Sequence, residues 1–436
     1  MIQTSGYLTA IKRSPERLIV LLVFLAPALF LVVKGVVTTI LFLVCFICVG
    51  LMLGEPRKFF VGRGSQFWAV IFFLLTPFLT ELIVQVGRGA FVLPSLDGPS
   101  RTILAAIVFI YLSKQNLTAL ISALSIGSAV GIVFVCISLQ LFPEYFWEHR
   151  AATYFVDPIT LGCYVFALLG IFLFKGLPTK LTRYDCATKL LVTALAIYVA
   201  IVSQSRSAWI AGIVLIMVYL LFFYRNEPLK RFLSTLCFFL LCFMLYQSLD
   251  VVKSRTQEAS KTTVNFIQSN QSDDTSVGLR LRLAQLDLWL IQSNLYLGVP
   301  DGEIPSFEDL KSEFPDLTRQ LYNIKFLAGS HSEFLGQIVG KGIIFGTLSL
   351  WGLFCYPLFF LFCKCRNLNS VANSIGWVAL GLILPLAVSS MFIQVFNLKM
   401  TISFYVMVLA IFYAHVFSLV QDGEYRKARD ELSVGD

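Results

Sequence analysis

Gly329-Ser330-His331-Ser332-Glu333-Phe334-Leu335 closes the one long polar stretch in a chain of 436 residues. That stretch begins near Asp250, and almost everything on either side of it reads as membrane helix. At roughly 80 residues it is too polar to cross a bilayer and too long to be a turn. It carries Arg280 and Arg282 near its middle and one of the chain's three histidines at its end. The flanks have the composition of a membrane protein. Hydrophobic residues make up 57% of the chain and charged residues 14%, with a mean hydropathy of +0.78, which excludes an ordinary soluble globular domain. Forty phenylalanines against seven methionines suit lipid-facing helices better than a soluble core. The first strong apolar run begins at Leu18 and continues into another with no small-residue cleavage site between them. The first span is therefore expected to remain as a start-transfer helix.

Twelve spans can be drawn, each about 20 residues long: 18–33, 36–53, 66–86, 99–113, 117–141, 158–174, 188–204, 207–224, 231–248, 336–362, 373–392 and 400–420. Lysine and arginine collect in alternate connections, at Lys12, Arg13 and Arg17, at Arg57, Lys58 and Arg63, at Lys114, and at Lys175, Lys180, Arg183 and Lys189. The same side takes Arg225, Lys230 and Arg231, then Lys364 and Arg366, then Arg426, Lys427 and Arg429. By the positive-inside rule that side is cytoplasmic and holds both termini. The net charge of +8 follows from this topology and calls for no nucleic-acid partner. The expected fold is all-α and polytopic, with about 12 transmembrane helices and one large helical loop on the outer side between the ninth and tenth. Residues 1–249 hold helices one to nine, 250–331 the loop, 332–420 the last three helices and 421–436 a cytoplasmic tail.

Arginines on the outer side break the charge rule. Arg88, Arg101, Arg150 and Arg206 lie close to predicted span ends, and Arg280 lies in the long segment. Arg206 sits in Ser203-Gln204-Ser205-Arg206-Ser207, between two apolar runs with almost no loop. A guanidinium at membrane depth is costly and faces a cavity or an anionic partner; phosphate suits it because the planar fork binds two oxygens at once. The competing reading is snorkelling of single side chains to lipid headgroups. Five such arginines beside a histidine favour an anion site.

Within the polar segment, residues from Asp250 to Asp274 read as a surface arm rich in Ser, Thr, Gln and Asn. Ser276-Val277-Gly278-Leu279-Arg280 opens an amphipathic helix to about Gln292. Spacing puts Arg280, Ala284 and Asp287 on one face and Leu279, Leu283, Leu286 and Leu290 on the other. Gly298 and Pro300 end it, and a short helix starts after Ser306. Ser330-His331-Ser332-Glu333 has the form of a capping box with Ser330 as N-cap, which would put His331 in the first turn of the next helix. The helix dipole and nearby arginines would then keep the ring neutral and able to take a proton. A plain interfacial hydrogen bond is the competing role. His149, next to Arg150, is a weaker candidate, and His415 lies in the last span.

Other chemistries fit poorly. There is no Walker loop, no His-Glu-x-x-His and no dinucleotide fingerprint. Asp273-Asp274 is a weak metal signal, Cys363-Lys364-Cys365 lacks a second ligand pair, and none of the ten cysteines falls in the polar segment. Neither a metal nor a cofactor is expected. A hydrolytic carboxylate pair drawn from Glu303, Glu308 and Asp309 stays open. Transfer from an already activated substrate suits the lack of nucleotide motifs.

At these residues the chain resembles the bacterial O-antigen ligases, within the wider O-antigen ligase and polymerase superfamily. The resemblance is carried by Leu96-Asp97-Gly98-Pro99-Ser100-Arg101, by Arg150 with Asp157-Pro158, and by Ser203-Gln204-Ser205-Arg206-Ser207-Ala208-Trp209. Ser276-Val277-Gly278-Leu279-Arg280 and Gly329 to Leu335 complete it. Each is short, and their order over roughly 240 residues gives the combination its specificity. The resemblance implies a multi-pass protein of the bacterial inner membrane with a periplasmic active site. Its donor would be O-antigen polysaccharide on undecaprenyl diphosphate, its acceptor a lipid A-core sugar, and membrane lipids its surroundings. His331 would be the base, Arg206 and Arg280 the diphosphate ligands, and Arg101 and Arg150 secondary phosphate or acceptor-core contacts. Arg282 would replace Arg280 under a different helix register. The nearest rival is an O-antigen polymerase with the same donor, and the rival from another class is a lipid-linked sugar flippase.

Overall fold

Long apolar runs fold as helices in a membrane-like interior because a helix pairs its backbone polar groups within one segment. The structure, a computed structural model, describes residues 4–433 apart from 62, 116, 147–149, 176–181, 270–275, 300–305, 316 and 367–369. His149, Lys180, Asp273, Asp274, Pro300 and Glu303 thus lie outside the described residues. The chain opens with α1 (Thr4–Leu29), α2 (Val36–Leu53), the short α3 (Pro56–Phe60), α4 (Ser65–Arg88), α5 (Leu93–Leu112) and α6 (Thr118–Leu141). A two-stranded hairpin follows, β1 (Glu144–Phe146) antiparallel to β2 (Arg150–Ala152). Next come α7 (Pro158–Phe174), α8 (Arg183–Ser203), α9 (Arg206–Phe223) and α10 (Pro228–Ser248).

The polar stretch is helical too. It holds α11 (Asp250–Ser269), α12 (Ser276–Ser293), α13 (Phe307–Glu313) and α14 (Arg319–Ala328). The bundle then closes with α15 (Glu333–Leu350), a π-helical turn (Trp351–Cys355), α16 (Tyr356–Arg366), α17 (Ser370–Ser390) and α18 (Lys399–Ser433). Each of the twelve predicted spans overlaps a helix. Among the described residues, nine helices are long and apolar enough to cross a membrane, and the apolar Pro158–Phe174 and Ile375–Ser390 are shorter.

The bundle is built around α7, whose side chains are almost all buried, with α17 against it. Gly170 and Gly381 let the two backbones touch: a Cβ on Gly170 would stand 1.8 Å from the Gly381 carbonyl oxygen. Around this pair α1 packs on α6 and α18 on α5. By contrast α10 buries only Phe238 and presents Phe232, Leu240, Phe243 and Met244 outward, the face a lipid-contacting helix offers.

The layout departs from expectation in two places. The stretch after Asp250, expected as a surface arm, is mostly exposed but regularly folded. It is the regular helix α11, which packs on α10 and α12; packing and the ion pairs of Arg255 and Glu258 override its polar composition. The second departure is in α15, which is broken at Gly342 (φ 74°). Residues 295–299 lie against the break: Val299 N donates to Val339 O at 2.7 Å and Ile343 N to Leu295 O at 2.8 Å. Arg88, one of the arginines expected on the outer side, donates to Gly340 O at 2.6 Å and to Leu297 O. The polar segment is thereby fastened to the bundle through backbone groups that an unbroken helix would have kept for itself.

Candidate active site

Between the start of α9, the middle of α11, α12 and the link into α15 lies a cavity of about 420 Å³. Arg206, Arg280, Asp287, His331 and Ser332 line it, with Met391 and Phe392 closing one side. Three residues predicted from far-apart stretches of sequence therefore share one space.

Arg206 owes its position to the corner between α8 and α9. Gln204 takes a left-handed conformation (φ 51°), the only non-glycine residue among those described to do so, and Ser205 caps α9 by accepting from Ala208 N. A non-glycine residue held there costs on the order of 1–3 kcal/mol, so its surroundings must over-determine it. They do. Arg150 Nε donates to Ser203 O at 3.1 Å and its Nη2 to Gln204 O at 3.3 Å, while Arg255 donates to the Gln204 side-chain oxygen. Gly162 of α7 allows the corner to sit close, since a Cβ there would lie 2.7 Å from Ala208 Cβ. Arg150 is thus a brace for the corner. Arg206 itself pairs with Glu258 of α11 at 2.5 Å, and Arg255 reaches the same carboxylate at 3.6 Å.

Arg280 rides on α12, whose Leu283, Leu286 and Leu290 pack with Leu310, Leu317 and Leu321 in a small core beneath the polar segment. That leaves Arg280, Ala284 and Asp287 toward the cavity, the face the helical spacing predicts. Among the described residues no carboxylate pairs with Arg280. Burial, then Arg206 nearby, lowers its pKa, though a guanidinium stays protonated. Arg150 is lowered to about 10, by burial first and then by Arg255 and Arg280. Around the cavity, Arg150, Arg206, Arg255, Arg280 and Lys325 stand against Asp157, Glu258 and Asp287. Among the described residues, positive charge there exceeds negative by two.

His331 is half-buried, in a link whose geometry differs from the expected capping box. The N-cap of α15 is Ser332, whose hydroxyl accepts from Leu335 N at 3.4 Å. Ser330 instead donates to Asp287 at 3.1 Å and accepts from Lys325 at 2.5 Å, and the nearby buried charges hold it away from the helix end. The Glu333 carboxylate turns into the bundle, accepting from Gln337 Nε2 at 2.8 Å and Phe396 N at 3.1 Å. His331 therefore precedes the helix rather than riding its first turn. Its pKa is still lowered, to about 4, by burial first, then by Arg280 and Lys325, with Asp157 opposing. The neutral ring was expected from the helix dipole and nearby arginines; Arg280 acts as expected, while desolvation and Lys325 take the place of the dipole.

The other predicted residues lie elsewhere. Arg101 pairs with Asp97 at 2.6 Å and stacks over Phe42, and Asp97 also binds Lys399. Arg282 contacts Gln285 and the Phe266 ring; neither arginine lines the cavity. His415 is buried in α18. Sequence reasoning did not single out Arg255, Glu258 or Lys325. The first two sit in a stretch whose polarity hid its helix, and Lys325 gave no signal at all.

No curated protein matches the chain. A family described as O-antigen ligase does: its model matches residues 191–350, a segment that holds Arg206, Arg280 and His331 and leaves out Arg101 and Arg150, and over that segment the chain is similar to the O-antigen ligases.

Proposed function

We propose that the protein is an inverting glycosyltransferase of the O-antigen ligase type, acting at the periplasmic face of the bacterial inner membrane. Its donor is O-antigen polysaccharide on undecaprenyl diphosphate, and its acceptor is a sugar of lipid A-core. The observation that carries this reading is the cavity joining Arg206, Arg280 and a half-buried histidine with lowered pKa. A diphosphate diester carries two negative charges, matching the excess of positive charge around the cavity.

In the reaction, His331 accepts the proton of the acceptor hydroxyl as that oxygen attacks the anomeric carbon. The bond from that carbon to the diphosphate oxygen breaks, and its electron pair leaves with the diphosphate. Arg280, with no carboxylate among the described residues to pair with it, binds the diphosphate directly. Arg206 joins by exchanging Glu258 for phosphate, so both guanidinia stabilise charge where it develops. One displacement inverts the anomeric configuration. Arg150 keeps the α8–α9 corner, and so Arg206, in place. An apolar crevice of about 260 Å³ between α8, α9 and α10, lined by Trp209, Ile213 and Leu241, seats the first part of the carrier's hydrocarbon chain. Both lipid-linked substrates then reach the site laterally.

The test is a lipopolysaccharide gel from cells lacking the gene, with polymer on the lipid carrier measured in parallel. Bare lipid A-core with long polymer accumulating on the carrier is the expected result. Core bearing a single repeat unit would make the protein a polymerase. His331→Ala should reproduce the deletion while inserting normally in the membrane.

A further inference from the structure

Asp287, Lys325 and Ser330 form a cluster with no part in the proposed bond-making and bond-breaking. Lys325 Nζ donates to Asp287 and, at 2.5 Å, to the Ser330 hydroxyl, which in turn donates to Asp287. The ionic side chains are nearly sealed, 6% exposed for Lys325 and 1% for Asp287. A buried ion pair is weak evidence of a stabilising role, because apolar residues of similar volume often do as well or better. Its place is more informative. Asp287 stands two turns along α12 from Arg280, Lys325 is in the last turn of α14, and Ser330 is the residue before His331.

The other flank of the histidine is tied just as firmly. The Ser332 hydroxyl donates to Ser390 O at 3.1 Å, and Glu333 N donates to Ile393 O at 3.1 Å. Gly329 opens the link with φ 84°, where a Cβ would meet the Gln394 side chain at 2.6 Å. His331 is one residue strung between two anchored neighbours. We propose that Asp287, Lys325 and Ser330 are positioning residues, a clamp that fixes the His331 ring relative to the Arg280 guanidinium borne by the same helix as Asp287. This rests on the reading of His331 as the base.

The clamp also sets the charge around the ring. Arg280 and Asp287 face it from α12, Lys325 from α14, Asp157 from ahead of α7 and Arg206 from α9, while the Glu333 carboxylate is turned away. Lys325 and Asp287 together add no net charge, and the clamp places the ammonium end on the histidine's side of the balance, opposing imidazolium as Arg280 does. Removing Lys325 alone takes away a cation, which favours the protonated ring, and any charge that Asp287 keeps without its partner acts in the same direction.

Three variants of the full chain in detergent test this: Ser330→Ala, Lys325→Gln, and the double variant Asp287→Leu/Lys325→Met. Two readouts are needed. One is the ¹⁵N shift titration of the His331 imidazole, assigned by its loss in His331→Gln; the other is transfer kinetics with kcat and KM separated. Lys325→Gln should raise the His331 midpoint by about one pH unit or more, a tenfold change in proton affinity. Ser330→Ala and the double variant leave no charge uncompensated. They should shift the midpoint less, yet lower kcat about tenfold or more with donor KM within about threefold, as a displaced base does. The double variant is the folding control, since apolar replacement of a buried pair keeps or raises stability. A folded double variant with wild-type kcat overturns the proposal, as does an unmoved midpoint in Lys325→Gln. A wild-type protein that transfers no glycan overturns the proposed function instead, and the titration, which needs no substrate, still decides whether the clamp governs His331.

Discussion

Lowering the pH of a transfer assay from 7 to 5 should leave kcat/KM almost intact. The base must be neutral to accept a proton, so activity is present above its pKa and is lost as the pH falls through it. With His331 at about 4, about nine-tenths of free enzyme keeps a neutral ring at pH 5; an ordinary histidine at 6.5 would keep only about 3%. The two cases differ about thirtyfold in rate at that pH. The parameter matters: kcat/KM reports the free enzyme, whereas kcat reports the complex. Under the proposed function the donor diphosphate neutralises Arg280 in the complex, removing one of the two cations that depress the ring, so the acid limb of kcat should lie at higher pH than that of kcat/KM. The assay is initial-rate transfer in detergent or nanodiscs at several donor concentrations from pH 4 to 8. A kcat/KM profile that is half-maximal near pH 6.5 would refute the account of His331 as a buried ring held neutral by Arg280 and Lys325. So would acid limbs in the reverse order.

Other substitutions test the remaining parts. Arg206→Lys keeps the charge but loses the fork that can hold two oxygens, and transfer should fall about tenfold or more in the same assay. Glu258→Gln removes the carboxylate that competes with phosphate for Arg206, so donor KM should fall severalfold in a substrate titration; an unchanged KM would mean that Arg206 does not exchange partners. Gly329→Ala forces a Cβ into a positive-φ position against Gln394, and unfolding free energy should drop by about 1–3 kcal/mol, read by tryptophan fluorescence. His331→Gln should remove about 2 kcal/mol of the stability lost between pH 7 and pH 5, because the unfolded chain takes up a proton that the buried ring refuses.

The helices were legible in the sequence because bilayer-length apolar runs admit little else, and the arginines near span ends stood out because they are exceptions to the charge rule. The sequence also showed which face of α12 would carry Arg280, since a helix with leucines at 283, 286 and 290 can bury only one side. What it could not show was pairing across long separations. Whether an arginine binds phosphate or braces a corner depends on which groups stand opposite it, and these are fixed only by packing. Arg101, Arg150 and Arg206 look alike in the sequence as arginines near span ends. One pairs with Asp97, one donates to two carbonyls at the α8–α9 corner, and one pairs with Glu258, the carboxylate that the proposed donor would displace.

The capping box shows the same limit at short range. Ser330-His331-Ser332-Glu333 and the two-residue shift to Ser332 as N-cap are both compatible with helix chemistry, and local propensity does not separate them. The choice is made by Asp287 and Lys325, 43 and 5 residues away in sequence from Ser330, which draw its hydroxyl out of the capping position. The consequence reaches the chemistry. A histidine in the first turn would owe its neutrality to the helix dipole and would point with the helix. A histidine ahead of the N-cap owes it to burial and to Arg280, so under the proposed function the group that would bind the leaving diphosphate also tunes the proposed base. Binding of the donor then relaxes the depression of the His331 pKa, and the ring becomes a stronger proton acceptor only once there is a reaction for it to serve.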